Sequence, residues 1–274
     1  MIKLVATDID GTLIGHKDNN SISDRNLSAI EKLRRLGIRF VLATGRSLYE
    51  VTSLYDQIGY VCDTICFNGG VIYNEKKEKI WSAPLSEDNI HLVSVLSHMV
   101  DVDFILHYEN YAGCLCSRER IKEVISTSNI MHHGMDFFPD SFYRDMKEMT
   151  LEEVIQNPPI KAETMFKSLD QIAYVKNMLA KEKGLACASS MKNNIEINNV
   201  NANKGLSLIK MCDYYKIDYN SAMCFGDSEN DIPMLSQFCN SYAMGNSTLT
   251  VKKSAAFICD SCDNDGFYQV IKNI

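Results

Sequence analysis

The chain of 274 residues is long enough for one large domain, or two moderate ones, with ample core. Its 46% hydrophobic and 23% charged content is that of an ordinary soluble globular protein, and the net charge of -7 argues against nucleic acid or an anionic membrane as the main partner. Asp8 and Asp10 interrupt the only apolar start and no apolar run could span a bilayer, so a cytoplasmic location without an export leader is expected.

The apolar run Ile2 to Ala6 predicts a buried strand that delivers Asp8-Ile9-Asp10-Gly11-Thr12 at its carboxyl end. Ligands of open α/β sheets bind at that edge. Two acids one residue apart there repel each other unless a cation or a shared proton separates their roles. The competing reading is an ordinary Asp-Gly turn.

A polar, turn-rich stretch from Gly15 to Ser21 follows, and Ser23 caps a helix carrying Leu27, Ile30, Leu33 and Leu36 at helical spacing. Gly37 ends it. The run Ile38 to Ala43 reads as a strand leading into Thr44-Gly45-Arg46, and a second helix passes through Tyr49, Leu54 and Ile58. Thr44 could cap that helix. Cys66-Phe67, Asn68-Gly69-Gly70 and Val71-Ile72-Tyr73 read as strand, turn and strand. This βαβα rhythm predicts an α/β fold with a largely parallel sheet covered by helices.

The middle of the chain reads as a separate α+β unit of about one hundred residues, a normal domain size. Ser86 opens a helix with Ile90, Val93, Leu96 and Val100; Asp103 to His107 predicts a strand and Ser117 to Ile125 a helix. Thr150 and Glu153 form a capping box, and Pro158-Pro159 marks a break. A strand over Lys161 to Phe166, a helix over Asp170 to Lys183 and a strand over Leu185 to Ser190 complete this block. After Asn198 the α/β rhythm returns: a helix from Lys204 to Tyr215, a strand from Ser221 to Phe225, then Gly226-Asp227-Ser-Glu-Asn230-Asp231 and a helix with Met234 and Leu235.

The ten cysteines are expected to be reduced thiols. Cys259 and Cys262 have metal-like spacing but lack two further ligands, and Cys114-Leu-Cys116 is too close for a usual zinc knuckle. His132 and His133, being adjacent, cannot share a helix face. Asn26 and Asn246 open glycosylation patterns that mean nothing without export. The sequence has no Gly-x-Ser-x-Gly elbow, phosphate loop or dinucleotide fingerprint.

Four segments sit at strand ends or helix starts: Asp8 to Thr12, Thr44-Gly45-Arg46, Lys204-Gly205, and Gly226 to Asp231. Their acids Asp8, Asp10, Asp227 and Asp231 are set against Lys204, with Arg46 a further candidate cation. A hard cation is needed to hold such a cluster, and an all-oxygen site suits Mg2+. With Mg2+ and Lys204 present one negative charge is left over, which a proton on Asp10 would remove. That balance suits an incoming phosphoryl group. Lys204 opposes the helix dipole where it stands, which favours a functional reason for it. Arg46 divides evenly between a substrate contact and a structural ion pair, and Asn68 reads as structural first.

These four segments, in this order, resemble the haloacid-dehalogenase superfamily, closest to its Cof-type sugar-phosphatase branch. Ala43-Thr-Gly-Arg46, Asn68-Gly69, Ser228 to Leu235, Ala243-Met244 and Asp265-Gly266 extend the match. The resemblance implies a Rossmann-like, doubly wound parallel-sheet core formed by residues 1–83 and 191–274. Between them, residues 84–190 would form an inserted α+β cap that sets specificity. It implies a Mg2+-dependent phosphatase of small phosphomonoesters, sugar phosphates first. Asp8 would be the nucleophile that forms an aspartyl-phosphate, and Asp10 the general acid and base. Ile9 through its amide, Thr44, Gly45, Lys204 and Asn230 would hold phosphate. Asp8, the Asp10 carbonyl, Asp227, nearby Ser228 and Asp231 would bind or orient Mg2+. A sugar-phosphate phosphomutase and a non-catalytic phosphometabolite-binding protein are the alternatives. The segment His107 to Tyr111 could reach a substrate but reads first as a strand-end loop.

Overall fold

The computed structural model describes residues 1–17, 20–128, 140–189 and 193–274, so His132 and His133 lie outside the described residues. The chain divides into two compact units, Met1–Ser82 with Ala202–Ile274, and Ala83–Asn201.

The first unit is built on strands β1 (Leu4–Thr7), β2 (Arg39–Ala43), β3 (Asp63–Cys66), β4 (Val71–Tyr73) and β5 (Lys79–Ser82), with β12 (Ala222–Gly226), β13 (Asn240–Ala243) and β14 (Phe257–Ile258). They form one eight-stranded sheet in the order β14-β13-β12-β1-β2-β3-β4-β5. Pairing is parallel from β14 to β3 and antiparallel from β3 to β5. Strand β1 leads outward to β2 on one side, whereas β12 leads to β13 on the other. Their shared carboxyl edge is therefore the point where the winding reverses, and a crevice opens there.

Residues alternate across this sheet. Val5, Phe40, Leu42 and Phe225 pack under helices α1 (Asp24–Arg35), α2 (Leu48–Ile58) and α11 (Gly266–Ile271). Leu4, Ala6, Val41 and Cys224 pack under α8 (Lys204–Tyr215), α9 (Ile232–Gln237) and α10 (Leu249–Ser254). Burying such a side chain contributes about 1.5–3 kcal/mol, so both layers clamp the strands that carry the acids. Ser23 caps α1, its Oγ accepting from the Asn26 amide at 3.2 Å, and Gly37 turns the chain at φ +68°. Asn26 is itself buried; it donates to the Leu13 carbonyl at 2.9 Å and accepts from the Tyr268 amide at 3.1 Å. It is a bridge in the fold. Two apolar residues of the predicted helices, Leu36 and Tyr49, face solvent.

The second unit has β6 (Ile105–His107), β7 (Ala112–Cys114), β8 (Lys147–Glu148), β9 (Lys161–Met165), β10 (Leu185–Ala188) and β11 (Asn194–Asn199) in the order β10-β11-β9-β6-β7-β8. Only β7 and β8 pair in parallel. Helices α3 (Glu87–Met99), α6 (Leu151–Gln156) and α7 (Leu169–Leu179) cover the face of Leu106, Ala162, Ile195 and Ile197. Helices α4 (Arg118–Ser128) and α5 (Asp140–Asp145) cover Ile105, Cys114 and Met165. The capping boxes at Ser86 and Thr150 are both formed.

The unit runs past the expected limit at residue 190 to Asn201, because β11 hydrogen-bonds to both β9 and β10. Its alternation of asparagine and glutamate with Ile195 and Ile197 puts polar side chains on one face. Lys161 Nζ there donates to Glu163 Oε2 at 3.0 Å and Glu196 Oε1 at 3.4 Å, and His107 Nε2 lies 3.1 Å from Glu163. Asn194 Nδ2 also donates to Glu163, at 3.0 Å. The segment His107 to Tyr111 is a hairpin turn closed by the Tyr108 amide on the Tyr111 carbonyl, with the two rings stacked at 4.3 Å. No described helix is long and apolar enough to cross a membrane.

Candidate active site

Strands β1 and β12 end side by side, and each gives an acid to the crevice. Asp8 follows β1 and Asp227 follows β12; their flanking residues pair as Thr7 with Phe225. The chain leaves β1 through Gly11 at φ +78°, where a Cβ would stand 2.6 Å from Asp227 Oδ2. Only glycine permits both that φ and that approach. Thr12 Oγ donates to Asp227 Oδ1 at 2.8 Å and Ser228 Oγ to Asp227 Oδ2 at 3.2 Å.

Lys204, the first residue of α8, is fully buried. Its Nζ donates to Asp8 Oδ1 at 2.7 Å and to Asp231 Oδ1 at 2.6 Å. The other Asp231 oxygen accepts from the amides of Asp227 at 2.8 Å and Ser228 at 3.0 Å. Asp231 thus ties the ammonium to the turn after β12. Asp8, Asp227 and Asp231 can each offer one oxygen within 4.8 Å of the others.

Burial raises the Asp8 carboxyl well above the usual carboxylate range; Lys204 opposes this, while Asp231, Asp227 and Asp10 add to it. Asp227 is pushed up to about 6 by burial and by Asp231, against Thr12, Lys204 and Ser228. Burial acts to lower Lys204, but Asp231 and Asp8 outweigh it and hold the ammonium well above its ordinary value. Three acids drawn together around one ammonium lack positive charge.

Asp10 stands apart from this cluster. Its side chain is 60% exposed and paired with Arg46, whose Nε and a terminal nitrogen reach its two oxygens at 2.9 and 2.5 Å. Arg46 also donates to Asn20 Oδ1 at 2.6 Å. In this structure Arg46 forms the ion pair.

Thr44 is buried after β2, and its Oγ accepts from the Arg46 amide at 3.1 Å. Helix α2 is capped instead by Ser47 in a capping box with Glu50. A Cβ on Gly45 would stand 2.9 Å from Asn68 Oδ1, which accepts from Asn230 Nδ2 at 3.0 Å. Asn68 therefore links the turn after β2 to the turn after β12. Gly69, at φ +102°, brings its backbone against Asn203, where a Cβ would meet the Asn203 carbonyl carbon at 2.4 Å. Ser207 Oγ donates to the Gly69 carbonyl at 2.8 Å, and Asn203 caps α8. These contacts fix where Lys204 begins its helix. The Ile9 side chain is in the core.

Asn246 went unread as a site residue. Its Nδ2 donates to the Gly11 carbonyl at 2.8 Å and its Oδ1 accepts from the Cys262 amide at 2.9 Å, bracing the β1 turn from the opposite side. Thr12 was placed in the Asp8 to Thr12 segment without a role of its own, and Asn203 and Ser207 were missed. Of these, only Asn203 before a helix start carries a sequence signal, that of an N-cap.

A family model described as haloacid dehalogenase-like hydrolase matches residues 5–271. The 5-amino-6-(5-phospho-D-ribitylamino)uracil phosphatase YcsE of Bacillus subtilis is 28% identical over 272 residues, covering 99% of this chain and 95% of that protein. The phosphatase YbjI of Escherichia coli, named for the same substrate, is 26% identical over 278 residues, covering 100% and 96%. Among solved structures, a haloacid dehalogenase-like hydrolase from B. subtilis has a TM-score of 0.82 at 20% identity, with both chains covered in full. A sugar phosphatase of HAD subclass IIB has a TM-score of 0.79 at 20% identity, covering 99% of this chain and 98% of that one.

Proposed function

Because the chain belongs to the haloacid dehalogenase-like hydrolases, we propose that it is a Mg2+-dependent phosphatase of small phosphomonoesters that works through an aspartyl-phosphate on Asp8. The observation that carries this reading is the buried Asp8–Lys204–Asp231 chain at the reversal of the sheet. It sets a candidate nucleophile and a fixed cation side by side, both buried.

The donor set fits Mg2+: it is all oxygen, carboxylate-rich and short of positive charge. Asp8, Asp227 and the Asp10 carbonyl would hold the ion. Asp231, whose two oxygens already accept from Lys204, Asp227 and Ser228, would orient that shell, with Ser228 steadying Asp227. Bound there, Mg2+ would offset the excess acid charge and act as a Lewis acid toward a phosphate oxygen.

The chain's own groups then divide the work. The free lone pair of Asp8 attacks phosphorus in line with the leaving oxygen. Lys204 holds Asp8 in place and balances the transferring group without reorganising, since its position is fixed before substrate arrives. The Thr44 hydroxyl, the Gly45 and Ile9 amides and Asn230 Nδ2 would take the equatorial oxygens. Asp10 would have to leave Arg46 and take up a proton from solvent before protonating the leaving alkoxide, and afterwards take one from the attacking water.

The substrate class is small phosphorylated metabolites. We place sugar phosphates and phosphorylated polyol derivatives first, following the names of the relatives, and assign the second unit the role of a specificity cap.

The test is phosphate release from an aryl phosphate, with and without Mg2+, for the native chain and Asp8→Asn. The expected result is metal-dependent turnover that vanishes in the variant. Persisting turnover in Asp8→Asn would overturn the nucleophile. Isomer formation without free phosphate would turn the reading to a phosphomutase, and binding without turnover across a metabolite panel to a sensor.

A further inference from the structure

Strand β7 ends at Cys114, and the chain bends at Leu115 and Cys116 before Ser117 caps α4 by accepting from the Arg120 amide at 3.3 Å. Cys114 is fully buried among Ile105, Ile121 and Met146, while Cys116 is partly exposed at the rim of the same cluster. The bend folds the second cysteine back over the first: Cys114 Sγ donates to the Cys116 carbonyl at 3.0 Å. In an extended strand, residues two apart span about 6.6 Å, at the upper end of the ~4.4–6.8 Å between Cα atoms that a disulfide accepts. Both side chains also leave the chain on the same side, facing one cluster.

We propose that Cys114 and Cys116 form a thiol–disulfide couple, oxidised by low-molecular-weight disulfides of the glutathione type. Cys116, the accessible member, exchanges first: its sulfur bonds to one sulfur of the oxidant, and the other leaves as a thiol carrying the Cys116 proton. Cys114 Sγ then attacks Cys116 Sγ. The Cys114–Cys116 bond forms, the mixed disulfide breaks, and the second small thiol departs with the Cys114 proton. Two electrons pass from the protein dithiol to the oxidant.

Hydrogen bonding with Cys116 lowers the Cys114 thiol, with burial opposing, and the same pairing raises Cys116. That pairing ends once Cys116 is captured, so the order rests on exposure: Cys116 is partly exposed and Cys114 is buried. Of the other cysteines, Cys62, Cys66, Cys212 and Cys224 are buried and Cys187 and Cys239 are exposed, while Cys259, partly exposed, and Cys262, buried, stand three residues apart. The exposed ones can take an adduct.

The full-length reduced protein is incubated with glutathione disulfide, alkylated under denaturing conditions and digested with trypsin. The tryptic peptide 80–118 contains Cys114 and Cys116 and no other cysteine. The expected product is this peptide unalkylated and two mass units lighter, restored by dithiothreitol. Cys114→Ser should instead stop with glutathione on Cys116. Should that variant not fold, Cys116→Ser, altered at the rim, should give neither ring nor adduct in this peptide. Two alkyl groups on the native peptide, or glutathione persisting there without ring closure, would overturn the proposal. An adduct on Cys114 in Cys116→Ser would overturn it too.

Discussion

Replacing Lys204 by methionine keeps the aliphatic stem and removes the ammonium between Asp8 and Asp231. At 2.7 and 2.6 Å, each contact is worth about 6 kcal/mol at an effective dielectric of about 20, before desolvation is deducted. Desolvation of three buried charged groups takes back most of this. Stripping one partner from a buried ion pair typically costs about 3–5 kcal/mol, because the charge left behind has nowhere to go. With a urea slope of about 2 kcal/mol per molar, the midpoint should fall by about 2 M. The chain has a single tryptophan, Trp81 on β5 in the first unit, so its fluorescence follows the unit that holds the site. The titration belongs in a chelator, since a divalent cation would replace the missing charge. Adding Asp231→Asn to Lys204→Met removes one of the two stranded carboxylates, and the double variant should be at least about 1 kcal/mol more stable than the sum of the singles. A midpoint unmoved in Lys204→Met, or strict additivity in the double variant, would refute the reasoning.

Gly11→Ala forces a side chain into a φ of +78° and within 2.6 Å of Asp227 Oδ2; about 1–3 kcal/mol of stability should be lost, and phosphate release with it, measured by thermal melts and Mg2+-dependent turnover. Asn26→Ala orphans the Leu13 carbonyl and the Tyr268 amide, costing about 2–4 kcal/mol, read by urea titration with the site chemistry intact. In the second unit, burial acts to raise Glu163, but Lys161 and His107 outweigh it and hold the carboxyl well below its usual range. A depressed folded value gives stability that is complete above the unfolded pKa of about 4.3 and is lost as pH falls through the folded value. Urea titrations by circular dichroism at about pH 6 and about pH 3 should therefore show a steeper loss in the native chain than in Glu163→Gln; equal losses would remove Glu163 from the account.

The parallel sheet was legible because β1, β2 and β12 are apolar runs ending in Asp, Thr or Gly, and because α8 keeps its predicted bounds of Lys204 and Tyr215. Strand β11 was not, since four of its six residues are asparagine or glutamate; its period of two appears only when Ile195 and Ile197 are read against a partner strand. Strand β5, short and partly exposed, carries no such run. Within the candidate site, the acids and Lys204 could be read from residue type and order. The link from Asn68 to Asn230, the Gly69–Asn203 approach and the brace of Asn246 could not, because each joins residues far apart in sequence. The separation of Asp10 from its fellow acids is a matter of side-chain direction, set by Arg46, and spacing along the chain is silent on it.

The order of strands also governs what the ribosome exposes. Strand β1 sits between β2 and β12, so its second neighbour arrives only when residue 226 has been made. Between the emergence of β2 and that moment, at about 5–20 residues per second, a nascent chain holds Leu4–Thr7 with one edge unpaired for about 10–40 s. The backbone groups of that edge are an open template for other chains. The intervening second unit, whose strands pair among themselves, can fold in that interval. Translation speed through that insert, and the chaperones present meanwhile, should set the yield of soluble protein more strongly than the stability of the finished sheet.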